Sequence, residues 1–135
     1  MASVGMVGVG DMGSEMVPHL IAEGHQIWAF DTDPERLRAA VTHGARAAES
    51  PSDAARHAEV TLSMVMSEDI PVAHFGADGI LAGLRPDAVL VICSTTTPAM
   101  LDEVRTRAGS GAHVVDAPIV GGVRYAREKS VTFLV

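Results

Sequence analysis

The sequence is poor in the features that mark secreted, membrane-spanning or nucleic-acid-binding proteins. Its single cysteine, Cys93, lies in an apolar run and excludes an internal disulfide, so a buried, inert thiol is expected. No apolar stretch approaches the roughly 20 residues that span a bilayer, and glycines interrupt the N-terminal apolar segment, which is atypical of a signal peptide. The net charge of −7 argues against binding to nucleic acid or to an anionic membrane. These absences favour a cytoplasmic protein.

Aromatic residues are also scarce, at 4% of the chain, although hydrophobic residues as a whole make up 47%. Small residues are plentiful, with 13 glycines among the 135 residues. A chain of this length fits one domain, spanning residues 1–135. We therefore expect a single domain with an aliphatic core and close contacts between its helices and its sheet.

Short apolar runs alternate with helical stretches along the whole chain, a pattern typical of βαβ units around a parallel sheet. The sequence predicts strands over residues 4–9, 26–30, 45–48, 60–65, 89–93, 113–116 and 131–135. The first run is almost continuously apolar, as expected of a strand that is covered by helices on both faces. The predicted fold class is α/β, with a doubly wound, mostly parallel sheet.

Capping residues, prolines and glycines predict helices between these strands. The first helix is expected over residues 12–23, with Pro18 either delaying its regular part or bending it. A second helix begins after the Asp33–Pro34 pair, a cap followed by a first-turn proline. Its inward-facing residues are expected to be Leu37, Ala40 and Val41. Further helices are expected over residues 51–58, 67–84 and 98–108, the middle range holding one or two short ones.

The most informative short motif is Gly8-Val9-Gly10-Asp11-Met12-Gly13, between the first strand and the first helix. In such a motif the first glycine permits a tight turn, the second lets the backbone approach a pyrophosphate, and the third lets helix pack on strand. N–H groups at the helix start then face the anion, aided by the helix dipole. The motif predicts a Rossmann-type dinucleotide-binding turn, with a turn shaped only by packing as the alternative. The residues predicted to hold the pyrophosphate are Gly8, Gly10, Met12 and Gly13.

Asp31 supplies the second part of this pattern. It ends the second predicted strand about 20 residues after the glycines, where a carboxylate hydrogen-bonds the ribose hydroxyls of adenosine. Because a carboxylate there would repel a 2′-phosphate, NAD is favoured over NADP as the cofactor. Asp33 could be only a helix cap, Arg36 could turn toward a 2′-phosphate, and Asp31 itself could be only a solvated turn residue.

Four later segments add a family resemblance. They are Gly24-His25, Met64-Val65-Met66, Ser94-Thr95 with Pro98, and residues 116–122, which read Asp-Ala-Pro-Ile-Val-Gly-Gly. Together with Met12-Gly13 they make the chain resemble the β-hydroxyacid dehydrogenases, the family of 3-hydroxyisobutyrate dehydrogenase and tartronate semialdehyde reductase. The chain is also similar to the cofactor domain of 6-phosphogluconate dehydrogenase. The last segment is the most specific, because it resembles the family's substrate signature, Asp-Ala-Pro-Val-Ser-Gly-Gly.

This resemblance implies that the parent protein transfers a hydride between a nicotinamide cofactor and a small β-hydroxyacid. Val65 and Met66 would line the adenosine side of the cofactor, and Thr95 the nicotinamide side. Adjacent glycines leave N–H groups free to hold a small carboxylate substrate. The residues implied for the substrate pocket are Ser94, Gly121 and Gly122.

The chain also departs from the family it resembles. Val120 stands where the family has a serine that helps to hold the substrate carboxylate, while Tyr125 and Lys129 stand where glycine is usual. Arg124 is one candidate to replace that serine. No catalytic residue is assigned, because the family's lysine and its all-helical second domain are expected beyond Val135, and Lys129 does not fit the lysine motif. We therefore expect residues 1–135 to be the N-terminal part of a longer enzyme and to be inactive alone.

Two other functions remain open at this point. The valine at position 120 allows an imine reductase-like relative with an altered substrate, and the chain could also be a stand-alone nucleotide-binding or regulatory module without catalysis. Pairing of two copies into a homo-oligomer could cover an open sheet edge. The six histidines show no H-x-x-x-H spacing, so no metal site is expected.

Overall fold

The computed structural model describes residues 1–135, which form a six-stranded parallel sheet in the order β3-β2-β1-β4-β5-β6. The strands are β1 (Ser3–Val7), β2 (Gln26–Phe30), β3 (Arg46–Ala47), β4 (Val60–Ser63), β5 (Val89–Ile92) and β6 (His113–Asp116). This strand order is that of the Rossmann fold. The predicted doubly wound α/β sheet is therefore confirmed, and β2 and β6 have the predicted ranges.

Seven α-helices accompany the strands, with 3₁₀ turns at Ser67–Asp69 and Gly109–Gly111. They are α1 (Gly10–Ala22), α2 (Pro34–Thr42), α3 (Pro51–Arg56), α4 (Ile70–His74), α5 (Ile80–Gly83), α6 (Pro98–Ala108) and α7 (Val123–Arg127). One core joins the sheet to α1, α2 and α7, and a second core joins it to α3, α4, α5 and α6. None of the helices combines the length and the apolarity needed to span a bilayer.

Adjacent residues of a central strand enter different cores. In β1, Met6 is fully buried in the core with α1, whereas the adjacent Val7 packs into the core with α3 and α6. This alternation follows from the two-residue period of a strand. It explains the near-continuous apolar run in the sequence, because both faces of the sheet are covered.

Three helices begin at the capping residues that the sequence predicts, each followed by proline. The side-chain oxygens of Asp33, Ser50 and Thr97 accept hydrogen bonds from the backbone N–H groups of Glu35, Asp53 and Met100, at 2.9, 3.0 and 3.2 Å. Each cap satisfies one otherwise unpartnered N–H group and contributes roughly 1 kcal/mol. These caps fix where the chain leaves the carboxyl end of a strand and enters the next helix.

Two predicted details of the early helices are wrong. Helix α1 begins at Gly10, two residues before the predicted start, because Gly8 and Gly10, with φ of +83° and +51°, turn the chain within three residues, and α1 continues through Pro18. Val41 does not face the core, since 43% of it is exposed, whereas Ala40 is buried. Helix α2 therefore presents a narrower apolar face to the sheet than its sequence indicates.

The end of the chain forms a small separate element that we call the C-terminal unit, residues 119–133. It consists of β7 (Ile119–Val120), α7 and β8 (Thr132–Phe133), and β7 pairs with β8 in an antiparallel hairpin outside the main sheet. The predicted strand over residues 131–135 is therefore wrong in extent, and it pairs with β7 outside the main sheet. The reason is that β7 and α7, with two and five residues, are too short to show a periodicity in the sequence.

Helix α1 anchors the C-terminal unit. Ala126 is buried against α1, and Nε and Nη2 of Arg127 donate hydrogen bonds to Oε1 of Glu15 at 3.2 and 2.8 Å. His19 Nε2 lies 2.8 Å from the carbonyl oxygen of Arg127. The hydrogen bond from Arg127, aided by its charge, lowers the pKa of Glu15. One buried methyl group and one polar cluster thus join this unit to the helix that follows the glycine-rich turn.

Candidate functional site

A groove of about 830 Å³ lies at the carboxyl ends of the strands. Its walls are the segments that follow β1, β2, β4 and β5, together with the C-terminal unit. Strand order changes direction between β1 and β4, which is where open α/β sheets bind ligands. Among the residues singled out in the sequence, the groove is lined by Gly8, Gly10, Met12, Asp31, Val65, Met66, Ser94, Gly121 and Gly122.

Gly8 makes the turn after β1 possible. Its φ of +83° lies in the left-handed region, and a Cβ atom there would lie 3.0 Å from the carbonyl carbon of Met64 and from the amide nitrogen of Val65. Its own N–H donates to the carbonyl oxygen of Phe30 at 2.9 Å. A side chain at position 8 would therefore push apart the backbones that follow β1 and β4.

The backbone around the turn holds the Asp31 carboxylate in place. Oδ2 accepts hydrogen bonds from the N–H groups of Val9 and Gly10 at 2.8 and 3.2 Å, and Oδ1 accepts from the N–H of Asp33 at 2.8 Å. A carboxylate offers about four acceptor positions, so one position remains for a further donor. The glycine-rich turn thus orients the acid at the end of β2.

Two N–H groups at the start of α1 have no acceptor in the chain. Those of Asp11 and Met12 belong to the first helical turn, where no intrahelical partner exists, and no other atom of the chain accepts them. Both residues line the groove. The helix dipole adds a partial positive charge at this end, so the site suits a phosphate oxygen. The Asp11 side chain brings an opposing negative charge to the same turn.

Gly13 lies beneath the groove and does not line it. A Cβ atom at this position would lie 3.1 Å from the sulfur of Met6 and 3.4 Å from Cγ1 of Val9. The third glycine of the motif therefore allows α1 to pack closely on β1, as the motif predicts. The structure thus gives Gly13 a packing contact, and its predicted contact with a pyrophosphate stays a prediction.

The loops after β4 and β5 are tied together by Ser94. Its hydroxyl donates to the carbonyl oxygen of Val65, 29 residues away in the chain, and 7% of Ser94 is exposed. While this bond is formed, Ser94 cannot donate a hydrogen bond to a substrate, although its oxygen can still accept one. Thr95, by contrast, is exposed and does not line the groove.

The C-terminal unit brings Gly121 and Gly122 to the groove, but not the side chains that the sequence suggested beside them. Val120 is 50% exposed and does not line the groove. Arg124 is turned toward Glu128, with Nε 3.0 Å from Oε1, so it is not placed as a carboxylate partner here. Lys129 lies 3.6 Å from Glu23 and is outside the groove as well.

Several groove residues were not identified from the sequence. They are Val7, Phe30, Thr32, Pro51, Asp69, Val72, Ala73, Asp78, Cys93, Ile119 and Val123. Those at strand ends could have been found from the topology, because the carboxyl ends of parallel strands meet at one edge. Asp69, Val72 and Asp78 lie in the irregular segment between β4 and β5, whose sequence gives no comparable signal.

The charges lining the groove are mainly negative. The groove is lined by one guanidinium, that of Arg36, and by four carboxylates, those of Asp11, Asp31, Asp69 and Asp78. The guanidinium is partly neutralised, since Nε of Arg36 lies 3.7 Å from Oδ2 of Asp33. The thiol of Cys93 also borders the groove, and burial raises its pKa to about 12, so it is a neutral group there.

Comparison of the sequence with known protein families agrees with the geometry of the groove. Residues 3–135 match the family described as the NAD binding domain of 6-phosphogluconate dehydrogenase. The chain belongs to this family. The resemblance stated from the sequence is therefore confirmed, and the match extends over the sheet, the groove and the C-terminal unit.

Individual relatives are similar along almost the whole chain. The 3-hydroxyisobutyrate dehydrogenase of Pseudomonas aeruginosa is 33% identical over 137 residues, covering 100% of this chain and 46% of the relative. The 3-sulfolactaldehyde reductase of Escherichia coli is 34% identical over 121 residues, covering 88% and 41%. A solved structure of Mycobacterium tuberculosis 3-hydroxyisobutyrate dehydrogenase with L-serine superposes with a TM-score of 0.89 at 30% identity, covering 98% and 45%. The chain thus spans less than half the length of these relatives.

Proposed function

We propose that this chain is the dinucleotide-binding domain of an oxidoreductase that transfers a hydride between a nicotinamide cofactor and a small β-hydroxyacid. The observation that carries the proposal is the arrangement at the groove: two N–H groups without acceptors at the start of α1, beside a carboxylate fixed by the glycine-rich turn. The relatives named above are dehydrogenases and reductases of small acids or aldehydes by their names, which supports the substrate class.

The residues of the groove fit a dinucleotide in two respects. The N–H groups of Asp11 and Met12, in the turn formed by Gly8 and Gly10, would hold the pyrophosphate. The remaining acceptor position of Asp31 would take one hydroxyl of the adenosine ribose. When bound, the nicotinamide supplies the hydride chemistry, and the protein supplies binding and orientation.

The charge of the groove favours NAD over NADP. A 2′-phosphate would add about two negative charges near Asp31, in a groove that already holds four carboxylates. Arg36 is the one cation that opposes this, and it lies beside Gly10 while it also faces Asp33. Preference for NAD therefore depends on the balance between Asp31 and Arg36.

The substrate side of the proposal rests on the C-terminal unit. Gly121 and Gly122 border the groove, where their N–H groups would hold the carboxylate of the substrate. Lys129, the single lysine of the chain, lies outside the groove beside Glu23, so it is not placed to transfer a proton there. We therefore propose that the proton-transfer group belongs to a further part of the protein and that residues 1–135 bind cofactor without turnover. A cytoplasmic location and a homo-oligomeric assembly remain predictions.

The test is a calorimetric titration of the 135-residue chain with NADH and with NADPH. We expect saturable binding of NADH and a dissociation constant for NADPH at least roughly tenfold higher, because like charges in a cleft disfavour binding. Asp31→Asn should raise the dissociation constant of NADH by roughly tenfold or more, the range for a hydrogen bond to a charged group. Arg36→Ala should weaken NADPH binding and leave NADH binding nearly unchanged.

Asp102→Asn is the matched control, because Asp102 is an exposed carboxylate on α6 that does not line the groove. It should bind both nucleotides as the unchanged chain does. If neither NADH nor NADPH binds, the proposed function is overturned. Binding of both with equal affinity would leave the domain assignment in place and overturn the preference for NAD.

A further inference from the structure

The side chain of Ser94 is hydrogen-bonded to a backbone group of a neighbouring loop. Its hydroxyl donates to the carbonyl oxygen of Val65, and this bond joins the loop after β5 to the loop after β4. Both Ser94 and Val65 line the groove, and 7% of Ser94 is exposed. A hydrogen bond so little exposed competes weakly with water, so it can fix the orientation of the peptide group that carries the acceptor.

That peptide group joins Val65 to Met66, and its two polar atoms point in opposite directions. The chain has no cis peptide bond, so the Met66 N–H points away from the carbonyl of Val65 and hence away from Ser94. No atom of the chain accepts a hydrogen bond from the Met66 N–H. Met66 is 66% exposed and lines the groove. One side of the peptide is therefore fixed inside the protein, and the other carries a free donor.

The Val65 side chain packs against the core, but few other hydrogen bonds fix this peptide. No atom of the chain accepts a hydrogen bond from the N–H of Val65 either, and Met66 is largely exposed. The Met66 carbonyl oxygen accepts only from the N–H of Asp69, at 2.9 Å, in the turn that follows. Without the hydroxyl of Ser94 the 65–66 peptide would lose the one bond that sets the direction of the Met66 N–H.

We infer that Ser94 is a positioning residue: by holding the carbonyl of Val65 it presents the Met66 N–H to a hydroxyl or phosphate oxygen of a dinucleotide in the groove. The inference rests on the proposed function, since the ligand is the cofactor proposed above. The substrate contact that the family resemblance implies for Ser94 stays a prediction. Ser94 acts through a backbone group, so its loss changes ligand affinity without removing an atom that touches the ligand.

The test combines nucleotide affinity with the NMR signal of one amide. In the ¹⁵N-labelled chain, the Met66 amide should shift downfield as NADH is added to saturation. Ser94→Ala should raise the dissociation constant of NADH roughly three- to tenfold, the effect of one hydrogen bond, and should reduce the Met66 shift by at least half. Ser94→Thr keeps the hydroxyl and should restore the affinity to within about twofold of the original value.

Ser63→Ala is the matched control for removal of a buried hydroxyl. Ser63 is fully buried in β4, its Oγ has no hydrogen-bond partner, and it does not line the groove. This variant should bind NADH as the unchanged chain does. A loss in Ser63→Ala equal to that in Ser94→Ala would mean a general effect on packing and would overturn the inference.

The other outcomes are equally decisive. A Met66 amide that does not move in the unchanged chain saturated with NADH would overturn the inference without any variant, which covers the case in which Ser94→Ala fails to fold. Equal NADH affinity in the unchanged chain and a folded Ser94→Ala would also overturn it. Failure of the unchanged chain to bind any dinucleotide would instead overturn the proposed function, so the two failures are distinguishable.

Discussion

The glycine-rich turn and the C-terminal unit both border the groove, but different forces hold them. The turn is fixed by backbone atoms: Gly8 fits against the peptides of the loop after β4, and N–H groups bind Asp31. The C-terminal unit is fixed by side chains, through Ala126 and the Arg127–Glu15 pair on α1. At the turn, no side-chain atom can be added to Gly8 without displacing the neighbouring backbone. The contacts of the C-terminal unit can be weakened one at a time. We therefore expect the proposed cofactor end and the proposed substrate end of the groove to respond independently to substitutions.

The largest effect is expected at the turn. Gly8→Ala places a methyl group 3.0 Å from the backbone of Met64 and Val65 at a φ of +83°, so it should cost about 2–3 kcal/mol of unfolding free energy. It should also weaken NADH binding by at least roughly tenfold. Chemical denaturation and calorimetry measure both effects.

Gly24→Ala is the control for this variant, because Gly24 has a φ of +89° and no atom within 4 Å of an added Cβ. It should cost only about 1 kcal/mol, the backbone strain alone, and should leave NADH binding unchanged. Equal losses of stability in the two variants would show that close approach of the backbones is not what makes Gly8 necessary.

A smaller and more local effect is expected at the anchor of the C-terminal unit. Ala126→Leu overpacks the contact with α1 and should cost about 1–2 kcal/mol. Amide hydrogen exchange should quicken in α7 while NADH affinity stays nearly the same. Ala39→Leu, at an exposed position of α2, should change neither quantity. Loss of NADH binding in Ala126→Leu would mean that the two ends of the groove are not independent.

The polar part of the same anchor should depend on pH. The pKa of Glu15 is lowered from its ordinary value of 4.5, mainly by the hydrogen bond from Arg127. The stabilisation that the Glu15–Arg127 pair contributes is therefore fully present above pH 4.5. It is lost as the pH falls through the lower pKa that Glu15 has in the folded state. Amide exchange in α7, corrected for intrinsic rates, should accelerate below about pH 4.5.

Glu15→Gln should remove this acceleration, because glutamine does not titrate. Glu59→Gln provides the comparison, because the pKa of Glu59 is also lowered but its hydrogen bonds come from Ser3, at the start of β1, and not from α7. That variant should retain the pH dependence of α7. If amide exchange in α7 of Glu15→Gln still accelerates at low pH, the Glu15–Arg127 pair is not the cause of the pH dependence.

The smallest effect concerns two residues with positive φ. Lys129, in the C-terminal unit, has a φ of +58°, and Asp87, before β5, has a φ of +63°. Lys129→Gly should raise the unfolding free energy by about 0.5–1 kcal/mol, because glycine adopts this conformation without strain. Asp87→Gly should gain less, since aspartate tolerates the left-handed region better than lysine does. Thermal denaturation of both variants measures the difference.

The sequence predicted most of the sheet because its signals are local and repeated. The apolar runs gave β2 and β6 their observed ranges, and the caps at Asp33, Ser50 and Thr97 gave three helix starts. The glycine motif and the position of the Asp31 carboxylate likewise follow from short-range spacing. Elements of two to five residues, such as β7 and α7, hold too few positions to show a period.

The site was less predictable wherever the outcome depends on a contact between distant segments. No local pattern shows that the Ser94 hydroxyl meets the carbonyl of Val65, or that Arg124 turns toward Glu128. Burial of Gly13 against Met6 likewise depends on how α1 packs on β1. The sequence shows that Lys129 stands where the family usually has glycine. That this lysine lies in a strained turn after α7 is known only from its backbone angle.

Because Cys93 is the single thiol of the chain, chemical labelling of that thiol reports on the groove alone. Cys93 borders the groove, 8% of it is exposed, and burial raises its pKa to about 12, so almost none of it is thiolate at neutral pH. We therefore expect an alkylating reagent to modify the folded protein only slowly, at a rate that rises if the loops around Cys93 move apart. The rate of alkylation, followed by mass spectrometry with and without a nucleotide, would serve as a clock for motions of the loops around Cys93.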